Sequence, residues 1–315
     1  MRSTKNLFRF LSLSFIFISV PAFSNQNPEQ LPATTGTMDL MLIKRADGSE
    51  SWVPYSLSNQ LMVTEGDIIL DEVNADGMPA KMTAQGASVN LMGDLWPNGI
   101  VYYSVSDSLS LELKQRINDA IAHWQVYTSI EFVRRNGQSS YINFIPGSGC
   151  ASYVGYRGGK QPIWLANDCY TGNIIHEIGH AVGLYHEHVR NDRDNHIQVL
   201  WQNIESDKQH NFEQNLAGTK DHGEYDYDSI MHYGTYFYSK NGAPTIQTIP
   251  AHMQIGQRSG LSHGDIEAIG TLYGNDATVL PEGSLNGTVK QSDGGGGSIC
   301  FATIGLLVFF RRKLQ

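Results

Sequence analysis

Three histidines in the run His176-Glu177-Ile178-Gly179-His180-Ala181-Val182-Gly183-Leu184-Tyr185-His186 constrain this chain more than any other feature. Ile174, Ile178, Ala181 and Val182 recur at helical spacing, so the run reads as an amphipathic helix with one side in a core. His176 and His180 lie four residues apart on one face, which lets two imidazoles share a single metal ion. A straight helix would carry His186 about 9 Å further along the axis and onto another face. Gly183 supplies the release, because glycine adopts positive φ freely and ends helices, and a chain that reverses there can bring His186 back to the same ion. Three nitrogen ligands leave one coordination position open, the arrangement that separates catalytic from structural zinc. The expected cofactor is Zn(2+), one per chain, held by His176, His180 and His186.

Glu177 directly follows the first ligand and points about 100° around the helix, so it reads as a base rather than a ligand. Zinc lowers the pKa of its bound water toward 7, and a carboxylate in reach can take that proton and pass it to a leaving amine. His188 lacks the ligand spacing and reads as a surface group or one that backs the ligands.

The rest of the chain is compatible with one main domain plus appendages, since 315 residues exceed a single compact domain of about 100–200. Hydrophobic residues make up 41% and charged residues 17%, which excludes a disordered or collagen-like protein. The net charge is −9, and three basic residues lie in each of the acid-free segments 1–24 and 298–315. The middle therefore sets 16 basic against 31 acidic side chains, a balance that repels phosphate backbones and argues against nucleic acid as a partner.

Arg2, Lys5 and Arg9 precede an apolar run from Phe10 to Val20, and Ala22-Phe23-Ser24 gives small residues at the positions a signal peptidase reads. Residues 1–24 are thus expected to be a signal peptide. At the other end, Gly294 to Gly297 lead into an apolar stretch from Ile299 to Phe310 and the stop Arg311-Arg312-Lys313. Twelve residues span only about 18 Å of a hydrocarbon core roughly 30 Å thick. Cys300 falls in that tail, leaving Cys150 and Cys169 as a pair for an oxidising compartment.

Between the ends, residues 25–86 are rich in Asn, Gln, Thr and Gly, with strand-like runs at Met38 to Ile43 and Ile68 to Leu70, and do not read as a core. Val101 to Val105 reads as a strand, Leu113, Ile117, Ile121 and Trp124 as one face of a helix, and Ile130 to Val133, Tyr141 to Ile145 and Pro162 to Ala166 as further strands. A sheet plus a long helix without strict βαβ alternation is implied. Past Leu184 the periodicity fades, which points to a loop-rich half, and 276–297 reads as a polar linker.

The run from His176 to Asp194, together with Ser229-Ile230-Met231-His232-Tyr233 and Leu95-Trp96-Pro97-Asn98-Gly99, resembles the astacin family of metzincin zinc endopeptidases over about Ala87 to Asn275. The resemblance implies an α+β fold with a mixed sheet and active-site helix above a cleft and a loop-rich C-terminal half below. It implies a catalytic domain at 87–275, a pro-segment at 25–86, and protein or peptide substrates. Met231 would form the Met-turn under the metal. Tyr233 would be the phenol that ligates zinc at rest and donates to the oxyanion in the transition state. Glu187 resembles the residue that receives the new amino terminus after activation, and Arg190, Asp192, Arg193 and Asp194 a structural ion-pair network. Cys150 to Gly155 resembles the edge strand on which substrate lies, with Ala151 in place of the usual aromatic. Glu65-Gly66-Asp67-Ile68 resembles the pro-segment motif whose Asp binds zinc in the latent enzyme, which assigns Asp67 to latency, although Thr64 stands where an aromatic is usual. A second disulfide of the family is missing at both ends, where Ser129 and Asn275 stand.

The C-terminal order of Gly run, short apolar helix and basic stop resembles the GlyGly-CTERM tails of exported Gram-negative bacterial proteins. Residues 298–315 would then be a sorting tail that attaches the chain to the membrane transiently; a plain anchor is the other reading. The sequence expectation is a monomeric, secreted or cell-surface zinc endopeptidase made as a latent precursor. A zinc-bearing adhesion module is the alternative, and the intact Glu177 and Tyr233 favour the enzyme.

Overall fold

The computed structural model describes residues 38–44, 50–74, 95–214 and 220–274. The signal-peptide, linker and tail assignments, with Cys300 and Asn275, lie outside the described residues.

A single mixed sheet of nine strands dominates the first half. Its strands are β1 (Asp39–Lys44), β2 (Glu50–Ser58), β3 (Leu61–Thr64), β4 (Ile68–Glu72), β5 (Ile100–Val105), β6 (Glu131–Arg134), β7 (Tyr141–Pro146), β8 (Ala151–Ser152) and β9 (Lys160–Leu165), in spatial order β1-β2-β3-β4-β8-β9-β7-β5-β6. The strands β5, β6, β7 and β9 run parallel, while β8 turns back antiparallel to β9. Helix α1 (Leu111–Tyr127) makes the crossover from β5 to β6. Ser110 starts it by accepting the Leu113 amide at 3.2 Å, and Leu113, Ile117, Ala120, Ile121 and Trp124 form its buried face. The helix and the four strands expected from periodicity are therefore present, with ends shifted by one or two residues.

Helix α2 (Thr171–Ala181) carries the first two histidines and is buried from Gly172 to Ala181. It lies against α1, where the Trp124 indole donates to the Ile175 carbonyl at 3.1 Å. The Cys150–Cys169 disulfide, with 6.0 Å between Cα atoms, ties the start of β8 to the entry of α2. The half beyond Leu184 is loop-rich, as its lost periodicity implied. Its described regular elements are short 3-10 turns, the two-stranded ribbon of β10 (Ile197–Val199) and β11 (Ile246–Thr248), and α3 (His263–Tyr273).

One expectation is corrected. The upstream segment was expected not to form core, yet every residue from Leu61 to Asp71 is buried. Met62, Ile68 and Leu70 join a cluster with Val154, and Leu61, Val63 and Ile69 one with Ala151, Tyr153 and Trp164. Strands covered on both faces read as short unbroken apolar runs rather than alternating ones, and polar flanks conceal them. Joined at the Ile68↔Ser152 register, β4 extends the sheet past β8.

Candidate metal centre

Helix α2 ends where the third histidine requires it to. The Gly183 amide donates to the His180 carbonyl at 2.8 Å and the Leu184 amide to the Gly179 carbonyl at 2.9 Å, a Schellman closure with Gly183 at φ 114°. The remaining C-terminal carbonyls are capped from afar: the Trp96 indole donates to Ala181 at 2.8 Å and the Tyr273 hydroxyl to Val182 at 2.9 Å. The chain turns back and brings the His186 ring to 5.2 Å from His176 and 4.7 Å from His180, centroid to centroid.

Each ring is oriented through its outer nitrogen. His176 Nδ1 donates to the Ile230 carbonyl and His180 Nδ1 to the Leu184 carbonyl, both at 2.8 Å, and His186 Nδ1 donates to the Glu65 carboxylate at 2.9 Å. Neutral imidazoles held this way would turn each Nε2 inward as a lone pair for a metal. The Asp67 carboxylate faces all three, at 3.3 Å from His176, 3.5 Å from His180 and 3.3 Å from His186. All four ligand atoms lie within 4.8 Å of one another, and all four residues are buried.

The Asp67 carboxylate and the His186 imidazole stabilise one another's charged forms. Burial alone would raise the Asp67 pKa, but His186 and then the other imidazoles hold it well below the usual carboxylate range. Burial alone would lower that of His186, yet the Asp67 and Glu65 carboxylates push it up to about 9. Nε2 of His180 and of His186 are buried without a hydrogen bond. Three imidazoles plus one carboxylate fit a four-coordinate zinc, so the donor set for the expected cofactor is in place.

The floor of the site comes from the loop around Met231. Met231 is buried, and a Cβ on Gly179 would stand 2.7 Å from its sulfur, so a larger residue there would have to displace the thioether from under the helix. The loop is held by Asp265 on α3, which accepts from the Ser229 hydroxyl at 2.7 Å and from the Ile230 and Ser262 amides, each at 2.9 Å. Asp265 was not foreseen, although Ser262 and Asp265 form a capping box at the start of α3 that is readable as a local pattern.

Glu177 is fully buried beside the ligands, and Tyr233 is buried with its ring stacked on His188 at 3.7 Å. The Tyr233 hydroxyl donates to the Glu65 carbonyl in a short hydrogen bond. His188 is buried behind Tyr233 and bonds the Asn211 carbonyl at 3.0 Å, which settles its two readings in favour of a backing group. His232 is neutral by construction: burial brings its pKa down to about 4, its Nδ1 donates to the Tyr233 carbonyl and its Nε2 accepts from Tyr225, both at 2.7 Å.

Glu187 is partly buried, accepts the Asp226 amide at 2.7 Å and lies 3.5 Å from Arg190. Burial pushes its pKa up to about 8 against the pull of Arg190. Arg190 pairs with Asp192 at 2.8 Å and Arg193 with Asp194 at 3.0 Å, while Arg193 also donates to the His188 and Phe212 carbonyls, so this run is a brace. The expected edge strand, β8, is flanked by β4 and β9, and its Ser152 amide donates to the Asp67 carbonyl at 3.1 Å.

The sequence pattern of the astacin peptidase family matches residues 88–274. The chain belongs to the astacin family. Its astacin domain is 44% identical over 191 residues to blastula protease 10 of Paracentrotus lividus, covering 56% of this chain and 32% of that protein. The low choriolytic enzyme of Oryzias latipes is 38% identical over 234 residues, covering 71% of this chain and 83% of the relative. The solved structure of high choriolytic enzyme 1, a hatching-enzyme zinc protease of the same fish, is 33% identical with a TM-score of 0.54 and covers 61% of this chain and 99% of its own. The metzincin α+β fold expected from the motifs is the fold of this astacin domain.

Proposed function

We propose that this chain is an exported zinc endopeptidase made as a latent precursor, hydrolysing protein or peptide bonds. The observation that carries the reading is the convergence of His176, His180 and His186 on one buried point beside Glu177, with Asp67 facing the same point from upstream.

Zinc held by the three imidazoles supplies Lewis acidity toward a peptide carbonyl and toward water. Glu177 takes a proton from the attacking water and returns it to the leaving amine. Tyr233 donates its phenolic hydrogen where negative charge develops on the carbonyl oxygen. Met231 provides an apolar floor that fixes the heights of His176 and His180. The edge strand at Ala151 and Ser152 offers main-chain pairing to an extended substrate.

Latency follows from residues 25–86 acting as a pro-segment. Asp67 would fill the ligand position left open by the three imidazoles, while the Glu65 carbonyl engages Tyr233 and β4 pairs with β8. Release of the segment would free all three, and the new amino terminus would then pair with Glu187. Export through residues 1–24 fits the disulfide, and the tail at 298–315 supports transient membrane attachment in a Gram-negative host.

The test is incubation of the proteolytically activated chain with a peptide mixture and mass mapping of the cuts, with and without a zinc chelator. Cleavage abolished by the chelator is expected; cuts that persist in chelator would refute the reading.

A further inference from the structure

The three ligand histidines differ in what holds their outer nitrogens. His176 and His180 rely on the Ile230 and Leu184 carbonyls, which belong to the astacin domain itself. His186 relies on Glu65, a residue of the upstream segment 121 positions away in sequence, through a buried 2.9 Å contact. A carboxylate on the outer nitrogen of a ligating histidine fixes the ring and strengthens the inner nitrogen as a donor, and losing such a partner typically costs about 10–100-fold in metal affinity. Glu65 stands two residues before Asp67, so one turn of chain supplies both a candidate ligand and the partner of another.

We propose that Glu65 is a positioning residue for the metal, and that the chain with its upstream segment docked holds zinc more tightly than the same chain after the segment is released. The inference rests on the zinc-site reading above and adds a second role to the segment: it assists metal loading before it is removed. Zinc is then acquired by the precursor, and activation relaxes His186 as it uncovers the site.

The full chain, stripped of metal, is titrated with zinc against a chromogenic chelator as wild type, E65Q and E72Q. Glu72 is exposed at the end of β4, and its variant serves as the control. E65Q should bind zinc about 10–100-fold more weakly, with E72Q unchanged. The glutamine preserves the backbone carbonyl that receives Tyr233, so the fold should persist, and the rise in Tm on adding zinc should shrink by more than any fall in the metal-free Tm. A merely structural role would lower the metal-free Tm instead. E65Q affinity within twofold of wild type, or a loss matched by an equal fall in metal-free stability, overturns the inference. A wild-type chain that takes up no zinc overturns the zinc-site reading itself, and the wild-type titration separates the two failures.

Discussion

Residues 61–72 and residues 171–233 meet at the same buried point and are held there by different means. The later region is held by the Schellman closure at Gly183 and the carbonyls of Leu184 and Ile230, with the Asp265 side chain of α3 fixing the Met231 loop from outside it. The upstream region contributes side chains and one carbonyl from a single turn, Glu65 to Asp67, carried between two short strands. Its strands nevertheless share apolar clusters with Val154, Tyr153 and Trp164. The comparison teaches that His176 and His180 are oriented by carbonyls of the later region, whereas His186 and the Tyr233 hydroxyl are held through Glu65 of the segment that covers them.

Variants can break this comparison on either side. The largest effect is expected from Glu177→Ala in the activated chain. Peptide cleavage should fall by roughly 10²–10⁴-fold or more with one zinc per chain retained, measured by turnover and metal analysis. Loss of the metal would instead mark Glu177 as a ligand. Tyr233→Phe should come next, lowering kcat by about 10²–10³-fold with little change in KM, because its hydroxyl acts in the transition state. A defect confined to KM would make it a substrate contact. His232→Ala, which removes a ring that braces the Tyr233 carbonyl and the Tyr225 hydroxyl, should cost kcat much less than that.

A smaller effect, on stability rather than chemistry, is expected from Asp265→Ala. The Ser229 hydroxyl and the Ile230 and Ser262 amides would lose their buried acceptor, at a cost of roughly 2–4 kcal/mol in denaturant unfolding. A change below about 0.5 kcal/mol would show that the Met231 loop does not depend on α3.

The sequence was most legible where chemistry demands fixed spacing. His176, His180 and His186 with Gly183 announce both a helix and its end, and the helix face at Leu113, Ile117, Ile121 and Trp124 is a periodic signal that packing preserves. Glu65 escaped notice because its role depends on a contact with a residue 121 positions away, which no local pattern encodes. The core character of Leu61 to Asp71 was hidden for a related reason, since strands buried on both faces have no alternation to read. Asp265 lay between these cases: its capping box is local, but its hold on Ser229 and Ile230 is not.

The central claim is that the upstream turn blocks the site by placing Asp67 against the three histidines, where a metal's open position would lie. The most direct measurement is the rate of peptide cleavage by the uncleaved, zinc-loaded precursor carrying Asp67→Ala, with its intact mass confirmed before and after the assay. Cleavage well above that of the wild-type precursor, and sensitive to a zinc chelator, is the expected result. A variant precursor as silent as wild type would contradict the claim and assign latency to the covering strand β4 instead.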